Sequence, residues 1–220
     1  MKSFELYSIL KKYYGEVGSW WPKDHPFEVI VGAILTQQST WINVEKALKN
    51  LKDENILTPL SLVAVPLDKL KELIRPSGFF NQKAERLKKI SGYLMDQYDG
   101  NIELFFNKDK KELRAELLKL NGIGHETADS ILLYSAEKIE FVVDAYTKRI
   151  YSRLGLVNEK IDYENLKKYI INEFPEDLIM YQEYHGLLVI HGKNLCIKNN
   201  PKCNECPLKK RCKYIQNINS

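Results

Sequence analysis

Apolar residues recur at helical spacing along nearly the whole chain, and no segment alternates long enough to build a sheet. Phe4, Leu6, Tyr7 and Leu10 mark a first helix, capped by Ser3 and ended by Gly15. Pro26 opens a second helix, apolar on most sides through Leu35, and a third runs from about Trp41 to Leu51. Asp68 to Ile74 is a short helix stopped by Arg75-Pro76-Ser77-Gly78. Asn81 then caps a long amphipathic helix on Ala84, Leu87, Ile90 and Leu94. Lys111 to Leu120 and His125 to Ala136 are helices separated by a tight glycine turn. Ile139 to Val143 is too short for a sheet and delivers the chain to Asp144, a cap for Ala145 to Leu154. Two more helices follow, near Tyr163 to Phe174 and Asp177 to His191. The expected fold is all-α.

A chain of 220 residues allows one large domain or two small ones. Hydrophobic residues at 44% and charged residues at 28% exclude disorder and a fibrous repeat. The longest clean apolar run, Val29 to Leu35, falls far short of the roughly 20 residues a bilayer needs. Met1-Lys2-Ser3-Phe4-Glu5 lacks the layout of a signal peptide, so a soluble cytoplasmic protein with no membrane partner is expected. A formal charge of +4 says little by itself. Its distribution says more: Lys193, Lys198, Lys202, Lys209, Lys210, Arg211 and Lys213 share the tail with Glu205 as the only acid.

All four cysteines lie in that tail, Cys196, Cys203, Cys206 and Cys212, spaced C-x6-C-x2-C-x5-C. A reducing compartment and 195 preceding residues without cysteine argue against a disulfide framework. Four thiolates in so short a segment can converge on one metal centre. Zinc usually takes paired C-x2-C knuckles, and only Cys203 and Cys206 form one. Iron–sulfur ligation uses the same four thiolates with wider steps. Spacing leaves the two open.

Leu120-Asn121-Gly122-Ile123-Gly124 joins two helices, and its glycines permit positive φ and close backbone approach. Alone, it reads as an ordinary αα-hairpin turn. With Val142-Val143-Asp144, Pro26-Phe27-Glu28, Thr36-Gln37-Gln38-Ser39-Thr40 and His191-Gly192-Lys193 before the cysteines, it resembles the helix–hairpin–helix of the endonuclease III superfamily of DNA glycosylases. The resemblance runs from about Pro26 to Cys212. It implies two helical domains with the DNA-binding and base-pocket cleft between them. Residues 24–135 would form one, with the hairpin; 1–23 plus 136–220 would form the other, ending in a [4Fe–4S] segment at 193–213. The partner implied is double-stranded DNA bearing a damaged base, met by a monomer.

One position separates the two chemistries of the family. Members that cleave the strand carry a lysine two residues beyond the second hairpin glycine, and its amine forms a Schiff base with the sugar. Here that residue is Glu126, which cannot, so the resemblance implies a glycosylase that uses water. Lys148, one turn past Asp144, is the other candidate amine, or else a phosphate contact. Asp144 is then the carboxylate that stabilises an oxocarbenium-like sugar or deprotonates water, besides capping its helix. Glu126 reads equally as a first-turn acid favoured by the helix dipole or as a residue that holds water.

A glycosylase must flip its target nucleotide and fill the gap. By resemblance, Gln38 is the plug and Phe79 the wedge, with Leu120, Gly122, Ile123 and Gly124 gripping phosphate and Lys198 and Lys202 contacting it from the cysteine loop. Trp20-Trp21-Pro22 and Trp41 resemble the base pocket of the 3-methyladenine DNA glycosylase branch, as does Arg75 to Ala84. Indoles attract a cationic N3-alkylated purine. The chain joins that branch's pocket to the cluster tail of endonuclease III. Competing readings are a T/G or U/G mismatch or oxidised-pyrimidine enzyme, with or without lyase activity, and a non-catalytic damage-binding Fe–S protein.

Overall fold

The computed structural model describes residues 1–17, 21, 24–172 and 174–218. Among them the chain is helical throughout, with no strand, and it divides into two compact units. Met1–Trp20 and Ile139–Ser220 make a terminal unit; Trp21–Lys138 make an inserted unit.

The terminal unit begins with α1 (Ser3–Tyr14). The inserted unit carries α2 (Pro26–Leu35), α3 (Trp41–Asp53), α4 (Pro59–Ala64), α5 (Leu67–Leu73), α6 (Phe80–Tyr98), α7 (Ile102–Phe106), α8 (Lys110–Lys119) and α9 (His125–Ser130). A turn of π-helix, Ile131–Ser135, continues α9. Back in the terminal unit come α10 (Ala145–Leu154), α11 (Tyr163–Ile171), α12 (Leu178–Asn194) and α13 (Lys213–Ile218).

The core of the inserted unit is α2, buried from Phe27 to Leu35 as a helix apolar on most sides must be. Pro26 opens it at N1, where no amide bond is lost, and His25 Nδ1 accepts from the Phe27 amide. Each fully buried Ile, Leu or Phe here contributes about 1.5–3 kcal/mol. In the terminal unit α12 packs on α1 and α10. Its Tyr184 stacks on Phe174 with centroids 5.0 Å apart and shares a 2.6 Å hydrogen bond with Tyr151.

Several helix ends differ from the sequence expectation. Ser3 is the first helical residue, with its side chain buried, and Lys2 holds the cap position. Phe79, in left-handed conformation, precedes α6, which places Asn81 inside the first turn. Neither α4 nor α7 was expected. Helices of six and five residues show less than two turns of periodicity. Their caps carry the signal instead: Thr58 and Ser61 form a capping box, and Asn101 accepts from the Leu104 amide.

Candidate active site

Val142 and Val143 are buried and anchor the chain just before Asp144. Asp144 caps α10, its Oδ1 accepting from the Thr147 amide at 2.7 Å. Its Oδ2 lies 3.6 Å from Nε2 of His185, on α12 of the same unit. The Asp144 side chain is 11% exposed and that of His185 6%. Burial pushes the Asp144 carboxyl up. The nearby His185 imidazole and the Thr147 amide outweigh it, so the group lies below the ordinary aspartate value. A carboxylate so held can face a developing cation without first losing a proton.

Sequence reasoning missed His185. It stands 41 residues beyond Asp144 within the apolar run Tyr184 to Ile190, where a lone histidine looks like core filling. The signal available was its place on a buried helix face.

The hairpin forms as expected. Gly122 has φ +88°, and a Cβ there would sit 2.5 Å from the Arg86 side chain, so glycine is required twice over. Ile123 is buried, Gly124 is exposed at the cap of α9, and Leu120 ends α8. Gln37, not singled out from the sequence, ties the neighbouring turn to this hairpin: its Nε2 donates to the Gly122 carbonyl at 2.9 Å and to Thr127 Oγ1 at 3.0 Å. Glu126 is exposed in the first turn of α9. It belongs to the inserted unit and Asp144 to the terminal one.

Gln38 and Phe79 share an unusual backbone. Both are non-glycine residues at positive φ, 53° and 46°, and both are exposed, Phe79 by 58%. Left-handed backbone costs an ordinary residue roughly 1–2 kcal/mol. Strain and an exposed aromatic ring together mark side chains presented outward.

Trp20 and Pro22 lie outside the described residues. Trp21 and Trp41 meet edge to face, centroids 5.3 Å apart. Tyr134, from the π-helical turn, completes the wall at 5.3 Å from Trp21. Gly32 admits the Trp21 ring, since a Cβ there would lie 3.1 Å from it. Trp21 and Tyr134 are buried; Trp41 is half-buried and donates from Nε1 to Glu45 at 2.8 Å. Tyr134 was not expected, because the π-turn that directs it has no sequence signature.

Cys196, Cys203, Cys206 and Cys212 are all half-buried free thiols. Burial, then the neighbouring thiols, pushes Cys206 up to about 11, and Cys203 rises for the same reasons. The four therefore share one neighbourhood. Among the described residues, no group of three His, Cys, Asp or Glu side chains is arranged to hold a single metal ion. Two arginines of α10 hold the start of the loop. Arg149 donates to the carbonyls of Gly192 and Cys196 at 2.9 and 2.8 Å, and Arg153 donates to those of Ile197 and Lys198, both at 2.7 Å. Beside them lies a groove of about 710 Å³, lined by Lys148, Arg149, Arg153, Lys198 and Lys213 with Glu159. It brings together Lys148 and Lys198; Lys202 is exposed elsewhere on the loop.

Residues 31–176 match the HhH-GPD superfamily of base excision DNA repair proteins. The chain belongs to that superfamily. A Methanocaldococcus jannaschii protein, provisionally named a DNA repair glycosylase, is 50% identical over 95% of this chain and 94% of its own length. Endonuclease III of Thermotoga maritima is 36% identical over 94% of each chain. Among solved structures, a non-covalent endonuclease III–DNA complex superposes with a TM-score of 0.85 at 25% identity, covering 99% of this chain and 98% of that one. The H. pylori 3-methyladenine DNA glycosylase bound to 1,N6-ethenoadenine gives 0.77 at 31% identity, covering 88% and 98%. Membership makes the protein a base-excision-repair glycosylase by family, all-α like its relatives.

Proposed function

We propose that this protein is a monofunctional glycosylase that binds duplex DNA, flips out an alkylated purine such as 3-methyladenine, and hydrolyses its N-glycosidic bond. The observation that carries the reading is Asp144, a half-buried carboxylate that His185 and the Thr147 amide hold below the ordinary aspartate value. The bond from C1′ to the base nitrogen breaks and its electron pair leaves with the purine. Asp144 stabilises the positive charge developing on the sugar, and water adds at C1′ while losing its proton towards that carboxylate. An N3-alkylated purine already carries positive charge, so it departs neutral without an acid. Trp21, Trp41 and Tyr134 offer aromatic surface suited to such a cation. Gln38 and Phe79 would fill the stack, the hairpin from Leu120 to Gly124 would hold backbone phosphate, and Lys148, Lys198 and Lys202 would extend the contact.

The four thiols suit a [4Fe–4S] cluster in donor type and mutual proximity. Bound there, it would fix the loop that carries Lys198 and Lys202. Protein purified anaerobically should be brown, with absorption near about 400 nm; stoichiometric zinc in colourless protein would refute the assignment.

The second reading, a glycosylase with lyase activity, draws on the endonuclease III relatives and on Lys148 in the Asp144 helix. One experiment separates the two. Duplexes bearing 3-methyladenine, uracil or thymine opposite guanine, and an oxidised pyrimidine are incubated with enzyme, with and without alkali and borohydride. The proposal expects release of the alkylated purine, strand scission only after alkali, and no borohydride-trapped adduct, since Glu126 stands where an amine would act. Trapping overturns the monofunctional reading, and preference for a mismatch overturns the substrate.

A further inference from the structure

The inserted unit buries one lysine that the chemistry above does not use. Lys83, in the first turns of α6, is 2% exposed. Its ammonium donates to the Leu35 carbonyl at 2.8 Å and to the Ser77 carbonyl at 2.7 Å. Leu35 ends α2, three residues before Gln38, and Ser77 stands two residues before Phe79. The Lys83 amide also donates to the Phe79 carbonyl at 3.1 Å. One side chain therefore grips the roots of both strained, exposed residues.

Arg86, one turn later, continues the pattern. It donates to Gln37 Oε1, and Gln37 in turn donates to the Gly122 carbonyl, while Gly122 lies bare against the arginine stem. Burying an ammonium is costly, and a methionine would fill the same space without that cost. Burial, then the Arg86 charge, lowers Lys83 to about 8, which registers that cost. What a methionine cannot do is hold two carbonyls from separate segments at a fixed spacing.

We propose that Lys83 is the positioning residue that locks the Gln38 turn and the Phe79 loop into one reading head, which Arg86 and Gln37 tie to the hairpin independently, so that plug and wedge enter the DNA stack as a pair. The inference rests on the reading of Gln38 and Phe79 as stack-entering residues. It assigns Lys83 no contact with DNA.

The test measures preference, the ratio of affinities for a duplex with a tetrahydrofuran abasic-site analogue and for undamaged duplex, at one salt concentration. Fluorescence of 2-aminopurine beside the site reports stack opening, and circular dichroism with a melting curve reports folding. Lys83→Met should lower the preference about tenfold and quench stack opening while affinity for undamaged DNA is unchanged. Added to Gln38→Ala/Phe79→Ala, it should change the preference by less than about twofold, because its route is already gone. If Lys83→Met unfolds, Lys83→Gln, which keeps a donor for one carbonyl, carries the same comparison. A full tenfold loss on the double-alanine background, or wild-type preference in folded Lys83→Met, overturns the coupling. If Gln38→Ala/Phe79→Ala keeps wild-type preference, the stack-entry reading falls and the coupling with it.

Discussion

The two units spend folding free energy in opposite ways. The inserted unit puts Gln38 and Phe79 on left-handed backbone and exposes them, so the residues proposed to enter the DNA stack are held in strained, solvent-facing positions. The terminal unit does the reverse. Asp144 is half-buried beside the buried His185, and the four cysteines are half-buried. Recognition of an opened stack needs side chains that project, whereas stabilising a developing cation needs a charge that water does not screen. Substituting Asp144 should therefore damage chemistry, and substituting Gln38 or Phe79 should damage recognition of the lesion.

The largest expected effect is in the terminal unit. Asp144→Asn should slow single-turnover base release by at least about a hundredfold while DNA affinity, measured by anisotropy, stays the same. Unchanged turnover would reduce Asp144 to a helix cap. The same carboxyl carries a pH signature. Its folded value lies below the unfolded one, so its contribution to stability is full at pH above about 4 and is lost as pH falls through the folded value. Acid unfolding of Asp144→Asn should lack that share.

Next comes the aromatic wall. Trp41→Ala should slow 3-methyladenine release by about 5- to 30-fold, the equivalent of about 1–2 kcal/mol of cation–π attraction, and leave abasic-site binding nearly intact. Trp41 is the better choice because it is half-buried; Trp21 is core, and its loss would cost about 3–5 kcal/mol of stability. Equal slowing for neutral lesions would return Trp41 to a packing role.

Smaller still is the cysteine loop. Lys198→Ala with Lys202→Ala should weaken binding to any duplex alike and reduce the slope of log K against log salt by about 2. An unchanged slope would take both lysines off the DNA. The smallest effect sharpens the comparison most. Gln38→Gly should raise thermal stability, by no more than about 1 kcal/mol, while lowering preference for lesion DNA. A gain in stability without a loss in preference would mean the strain serves no recognition.

Local rules made much of this legible beforehand. The apolar periodicity of α2, α6 and α12, the glycine pair of the hairpin and the aspartate capping α10 are written in neighbouring residues, because helix formation and capping are short-range. The four cysteines likewise fall within one short stretch of sequence. The pairing of Asp144 with His185, the grip of Lys83 on two carbonyls, the Gln37 bridge to Gly122 and the turn of π-helix that aims Tyr134 at Trp21 were not legible. Each joins segments far apart in the chain or depends on a slip in helical hydrogen bonding. Histidine in an apolar helix and lysine in an amphipathic one look ordinary until packing shows what they face. By itself, then, the sequence determined the long helices and which reactive side chains are present. Tertiary structure alone decided which of those groups meet in a buried space, where loss of hydration makes a charge strong enough to hold a neighbour or a transition state.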